Sequence, residues 1–254
     1  MDLGLDDRVY IVTGASRGLG AATALALAAE GARLVLSSRD QAALEALAGQ
    51  IGDTERVIVV PGDLADAGLP SRLCGAAIGR YGRLDGTLIS VGGPPTGSST
   101  GITDEQWRSA FDSVFLGPLR MARAVVEATT IEGSSILFVL STSVRVPVAG
   151  LATSNGLRPG LAMVAKTMAD EVGSRGVRVN ALLPGRIDTA RVRELDDAAG
   201  RGVSARRDQE ALIPLGRYGQ PEEFGRVAAF VLSPAASYLT GTMLAVDGGS
   251  TRAL

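Results

Sequence analysis

Residues 9–20 read Val9-Tyr-Ile-Val-Thr-Gly-Ala-Ser-Arg-Gly-Leu-Gly20, an apolar run that breaks into Gly14-x-x-x-Gly18-x-Gly20 and continues into an Ala/Leu-rich stretch. Glycines at this spacing between a buried strand and a helix divide three tasks. One lets the chain turn tightly, one lets the backbone approach a pyrophosphate, and one lets helix and strand pack closely. The helix that starts there aims unpaired N–H groups and its positive dipole end at an anion. Gly14, Ser16, Arg17, Gly18, Leu19 and Gly20 are therefore the expected cradle for dinucleotide phosphates.

The next strand-like run ends Leu36-Ser-Ser-Arg39. A dinucleotide without a 2′-phosphate calls for a carboxylate here to hold the ribose 2′-OH. Ser38 takes that place, Arg39 follows, and Arg17 lies inside the glycine loop. Two guanidiniums can fork a 2′-phosphate through charge-assisted hydrogen bonds, so NADP(H) is the expected cofactor. The plainer reading makes both of them solvated arginines in an arginine-rich chain, where Lys166 is the only lysine among 25 basic residues.

These residues need a frame. Strand-like and helix-like segments alternate along the 254 residues, which implies one α/β domain over residues 1–254: a doubly wound, Rossmann-type parallel sheet of about seven strands flanked by helices. Strands are expected at Val9–Thr13, Arg33–Ser38, Arg56–Pro61, Gly86–Ser90, Ser135–Ser141, Val177–Leu183 and Met243–Val246. Helices are expected at about 18–30, 41–51, 67–80, 104–128, 153–173 and 221–232. Thr103-Asp-Glu-Gln106 is a capping box, and Leu157, Leu161, Val164, Met168 and Val172 form one apolar stripe. Residues 190–215 read as a long polar connection, the usual form of a substrate lid.

Composition closes several routes. The chain has no histidine and one cysteine, Cys74 in an apolar stretch, which removes Ser-His and Cys-His catalysis and leaves no metal site to expect. A net charge of −2 gives no broad basic face for nucleic acid. The N-terminus lacks a basic-then-apolar leader pattern, and no apolar run reaches membrane-spanning length. A cytoplasmic protein without membrane contact is the expectation.

The chain resembles the short-chain dehydrogenase/reductase superfamily over nearly its whole length, with the general look of a 3-oxoacyl-carrier-protein reductase. The resemblance rests on the glycine loop, Gly62-Asp63-Leu64, Asn180, Pro184-Gly185-x-x-x-Thr189, Tyr238-Leu-Thr-Gly241 and Val246-Asp-Gly-Gly249. It implies that Asp63 and Leu64 contact adenine and that Pro184, Gly185, Ile187 and Thr189 hold the nicotinamide end. It also implies a homotetramer or homodimer, with the helices at 104–128 and 153–173 in one interface. The departures gather at the chemistry. The family's Asn-Asn-Ala-Gly reads Ile89-Ser90-Val91-Gly92, and its helix Asn aligns with Val114. Its catalytic Ser aligns with Ser141, its Tyr with Ser154 and its Lys with Arg158.

A serine hydroxyl is a far weaker acid than a phenol with a pKa of about 10, and Arg keeps its proton at working pH. Ser141, Ser154 and Arg158 are the candidate catalytic residues, and Arg158 is expected to anchor the nicotinamide ribose, with a substrate anion as the alternative. The expected function is an atypical NADPH-dependent reductase of an activated small-molecule carbonyl, phenolic, enolic or polyketide-like, with the proton supplied by substrate or solvent. Asp188 is a candidate unusual acid, and Arg145, Arg186 and the Gly92-Gly-Pro-Pro95 loop are candidates to line the substrate side. The competing reading is a catalytically inactive NADP(H)-binding regulatory or partner protein.

Overall fold

The computed structural model describes residues 2–198 and 202–253. Seven strands form one parallel sheet in the order β3-β2-β1-β4-β5-β6-β7. They are β1 Val9–Thr13, β2 Arg33–Ser37, β3 Val57–Val59, β4 Gly86–Ile89, β5 Ser135–Val139, β6 Arg178–Pro184 and β7 Met243–Val246. The helices are α1 Gly18–Ala29, α2 Gln41–Ile51, α3 Leu69–Tyr81, α4 Asp104–Phe111, α5 Gly117–Ala128, α6 Ala152–Val172, α7 Ala190–Ala198, α8 Gly202–Glu210 and α9 Pro221–Leu232.

The strands are apolar runs because both faces of the sheet are covered. Alternate residues of β1 serve different cores. Val9 and Ile11 pack with α3, α5 and α6. Tyr10 and Val12 pack with α1, α2 and α9. The strand order reverses between β1 and β4, and the crevice outside the carboxyl ends at that point is where ligands of such sheets bind. A shallow pocket lined by Ile131, Glu132, Ser174 and Arg175 lies at the opposite, N-terminal ends of β5 and β6.

Three expectations need correcting. The segment 104–128 is not one regular helix: a π-helical turn, Asp112–Leu116, separates α4 from α5, carries the buried Val114, and stacks Phe115 on Phe111 at 5.1 Å. The 190–215 connection contains α7 and α8, whose low apolar content hides their helical period. The third strand is shorter than 56–61, because only Val57–Val59 pairs with β2. The capping box forms as expected, with both reciprocal bonds between Thr103 and Gln106.

Two arginines are buried in the half of the sheet beyond β4. Arg178, at the start of β6, donates to the carbonyls of Val231, Leu239, Leu232 and Ser233. Most of these close the C-terminal end of α9, where a cation is favoured by the free carbonyls and the helix dipole. Arg158, midway along α6, is the other.

Candidate active site

The glycine loop runs from the end of β1 into α1. Gly14 has φ 61°, the left-handed region, and a Cβ there would lie 2.7 Å from the Ser90 carbonyl oxygen. A Cβ on Gly20 would collide with the Gly14 carbonyl, so this residue lets α1 close onto β1. The backbone of Arg17 is extended, no side chain caps α1, and its first turn holds no acidic residue. The helix thus presents uncapped N–H groups toward the crevice, a fit for phosphate.

Around this cradle stand two exposed guanidiniums. Arg39 is 3.7 Å from Asp63, and Arg17 is 3.8 Å from Glu194 on α7. Both pairs are open to solvent and carry little binding energy. The Ser38 hydroxyl makes only local bonds to Asp40 at 3.3 Å. Asp63 also accepts from the Ala65 N–H at 3.0 Å, as a turn carboxylate does, and Leu64 is buried.

The segment after β6 returns to the same crevice. Pro184 ends β6, paired with Val246, and a Cβ on Gly18 would lie 3.5 Å from the Thr189 methyl. The Ile187 side chain is buried, and its main chain pairs with Gly219 in an isolated β-bridge. Thr189 Oγ1 accepts from the Val192 N–H at 3.3 Å and starts α7. Arg191 then spans the crevice: it donates to the Pro94 carbonyl at 3.0 Å, and its Nε lies where a Cβ on Gly93 would be 2.5 Å away. Glu194 sits between Arg191, at 3.6 Å, and Arg17. Sequence reasoning passed over Arg191 and Glu194, and their i, i+3 spacing in a segment without apolar period was the only signal available.

A serine cluster occupies the C-terminal end of β5. Ser141 Oγ caps a short turn by accepting the Ser143 N–H at 3.1 Å, which leaves its hydroxyl proton free to donate elsewhere. Ser143 Oγ lies 3.1 Å from Ser154 Oγ, both buried. One turn further along α6, Arg158 donates to the Val139 carbonyl at 2.9 Å. It has no carboxylate partner among the described residues, and desolvation pulls its pKa down to about 10. The start of α6 is tied under the 92–97 loop by the Thr153 bond to the Pro95 carbonyl and the Gly97–Leu151 bridge.

Other groups considered for proton transfer are committed elsewhere. Asp188 lies between Arg193, at 2.7 Å, and Arg206, at 3.0 Å, and these bonds hold its carboxyl below the usual range, so it is ionised and does not serve as an acid. Tyr218 donates to the buried Asp196, and burial pushes its pKa up to about 12. Arg186 is paired with the same Asp196 at 2.6 Å. Arg145 donates to the Met243 and Ala253 carbonyls. Neither arginine is free to line the substrate side as expected. Tyr10 is bonded to the Leu232 carbonyl, Tyr238 is fully exposed, and Lys166 pairs with Asp170.

The glycine loop, the hydroxyl cluster and a buried guanidinium lie along one carboxyl edge of the sheet. Residues 14–251 match the family described as enoyl-(acyl carrier protein) reductase, and the chain belongs to this family of short-chain dehydrogenase/reductases. An uncharacterized oxidoreductase of Mycobacterium tuberculosis is 36% identical over 250 residues, covering 97% of this chain and 93% of the relative. The 3-oxoacyl-[acyl-carrier-protein] reductase of a Synechocystis strain is 32% identical over 249 residues, covering 96% and 97%. The structure of an actinorhodin polyketide ketoreductase variant with NADPH superposes with a TM-score of 0.92 at 25% identity, covering 98% of this chain and 99% of that one. Among the described residues no helix is long and apolar enough to cross a membrane, and no group of His, Cys, Asp or Glu could hold a metal ion.

Proposed function

We propose that the protein is an NADPH-dependent reductase of an activated carbonyl, phenolic, enolic or polyketide-like, whose proton comes from substrate or solvent. The observation that carries this reading is the pairing of an uncapped phosphate cradle with a hydroxyl-and-cation site that holds no usable acid. NADPH, when bound, supplies the hydride. Gly14, Ser16, Gly18, Leu19 and Gly20 hold its pyrophosphate; Arg17, Ser38 and Arg39 take the 2′-phosphate; Asp63 and Leu64 face the adenine. Pro184, Gly185, Ile187 and Thr189 flank the nicotinamide end.

Ser141 holds the carbonyl oxygen, because its own oxygen is already engaged as an acceptor and its proton is not. The Ser154 hydroxyl is paired with that of Ser143 and supports the site from behind. Arg158 holds positive charge beside them and releases no proton. The site is non-standard in this sense: it polarises and orients, and it leaves the proton to the ligand or to water. The α7–α8 segment, within the 190–215 region, acts as the lid. Copies of the chain associate through α4, α5 and α6, where Phe111 and Met163 are exposed apolar side chains.

Turnover decides the reading. NADPH oxidation should proceed with a tetralone bearing a peri hydroxyl and be at least tenfold slower with plain tetralone. Ser141→Ala should cost more activity than Ser154→Ala. Tight NADPH binding with no reduction of either ketone would instead favour a regulatory protein, and equal rates on both ketones would remove the ligand's part in proton transfer.

A further inference from the structure

Arg158 is an unfinished site. Its side chain is buried, yet it makes one hydrogen bond, to the Val139 carbonyl, and faces no carboxylate among the described residues. Taking a guanidinium out of water costs several kcal/mol unless charge or acceptors replace the water. Arg178 shows how this chain completes such a seat when the role is structural, with four carbonyl acceptors. The Arg158 seat has only one.

Its neighbours are small and hydroxylic. Ser154 and Arg158 are four residues apart on α6, so their side chains lie on the same face, about 5–6 Å apart at Cβ. Ser154 touches Ser143, whose N–H bonds Ser141. The cation thus shares a helix face with the last of a row of hydroxyls that begins at Ser141. Neither a neutral ketone nor the uncharged hydroxyls of a nicotinamide ribose offset the charge of that seat. A carboxylate would complete it and supply no proton, and Asp188, Tyr10 and Tyr218 are all engaged elsewhere. One ligand group meets both needs: a hydroxyl that gives up a proton and remains as an anion.

We propose that the face between Ser154 and Arg158 is a subsite for the substrate's own acidic hydroxyl, a phenol or enol beside the reducible carbonyl, with its oxygen against the Arg158 guanidinium. This deepens the proposed function and rests on it. As hydride reaches the carbonyl carbon from a reduced nicotinamide, a C–H bond forms and the C=O π pair moves to oxygen. That oxygen takes the proton of the neighbouring hydroxyl, whose O–H bond breaks and leaves its electron pair as a phenolate or enolate. Arg158 holds this anion until water returns a proton. The substrate class is narrowed to carbonyls with a conjugated hydroxyl within proton reach. The 92–97 loop, tied to α6 through Thr153 and Leu151, must shift to admit it.

The test needs no turnover. Para-nitrophenol is titrated by absorbance in the presence of the folded, full-length protein, with and without NADP+. The bound probe should ionise about one pH unit or more lower than the free probe, as an opposite charge within a few ångströms dictates. The phenolate form then binds about tenfold or more tighter than the phenol. R158M should abolish the shift, R158K should keep part of it, and S154L should weaken probe binding at least tenfold by filling the face without touching the charge. Should R158M fail to fold, the R158K and S154L results carry the decision. An unshifted probe, a shift that survives in R158M, or benzoate bound as tightly with the same Arg158 dependence would overturn the subsite. A shifted probe without ketone turnover would fault the proposed function and leave the subsite standing.

Discussion

Arg178 and Arg158 lie in the same half of the sheet, on adjoining elements, and both are withdrawn from solvent. Arg178 closes the end of α9 with four carbonyl bonds, and burial pulls its pKa downward. Arg158 has the single Val139 carbonyl, and nothing offsets its desolvation. The difference is one of acceptors. A fold that needs a cation surrounds it with oxygens, and a site that needs a cation leaves room for the ligand's.

That contrast predicts opposite stability effects. Arg178→Met should be the most damaging single change considered, costing roughly 2–4 kcal/mol in a denaturant titration, because several carbonyls lose their donor at once. Arg158→Met removes an uncompensated buried charge for one lost hydrogen bond. Its cost should be below about 1 kcal/mol, and replacing a buried charge by an apolar side chain can stabilise. Equal destabilisation by the two would show that Arg158 is a structural residue and end the comparison.

The cradle offers a second contrast, between functions made by backbone and functions made by side chains. The glycine loop was legible because its geometry requires particular residue types: Gly14 is left-handed and Gly20 sits against a carbonyl. The sheet was legible for a similar reason, since strands covered on both faces must be continuous apolar runs, and the fully buried β1 keeps the bounds read from sequence. The π turn at Asp112–Leu116 carries no composition that marks it. Helices α7 and α8 stayed hidden because they are short and polar. The partners of Asp188 were illegible too, because Arg206 is eighteen residues away on another helix.

The side-chain part of the cradle yields the intermediate prediction. Arg39 is exposed and only loosely paired with Asp63, so it is free to turn to a 2′-phosphate. Arg39→Ala should weaken NADP+ by about tenfold, near 1.4 kcal/mol, and leave NAD+ unchanged in calorimetric titrations. Arg17→Ala should have an effect of similar size, because its pairing with Glu194 at 3.8 Å is as loose as that of Arg39. Equal loss for both dinucleotides would assign Arg39 to the common pyrophosphate and remove the basis for preferring NADP(H).

The smallest effect concerns the α7–α8 segment. Asp188 joins the segment after β6 to α7 through Arg193 and to α8 through Arg206, and these bonds hold its carboxyl below the usual range. Because the folded-state pKa is depressed, the contribution is present above the unfolded value, about 3.9, and is lost as pH falls through the lower folded one. Amide exchange in α7 and α8 should therefore stay slow across neutral and mildly acidic pH and rise only in strong acid. Asp188→Asn should bring the faster exchange to neutral pH. The rise should be only several-fold, because other contacts still dock the segment. Arg206 keeps its bond to Glu210 and its place over the Tyr218 ring, and Asp196 keeps Arg186 and Tyr218. Exchange that quickens equally in β5 and β6 would mean that Asp188 supports the whole sheet. Exchange unchanged in Asp188→Asn would place the latch on Asp196, the buried carboxylate of the pair.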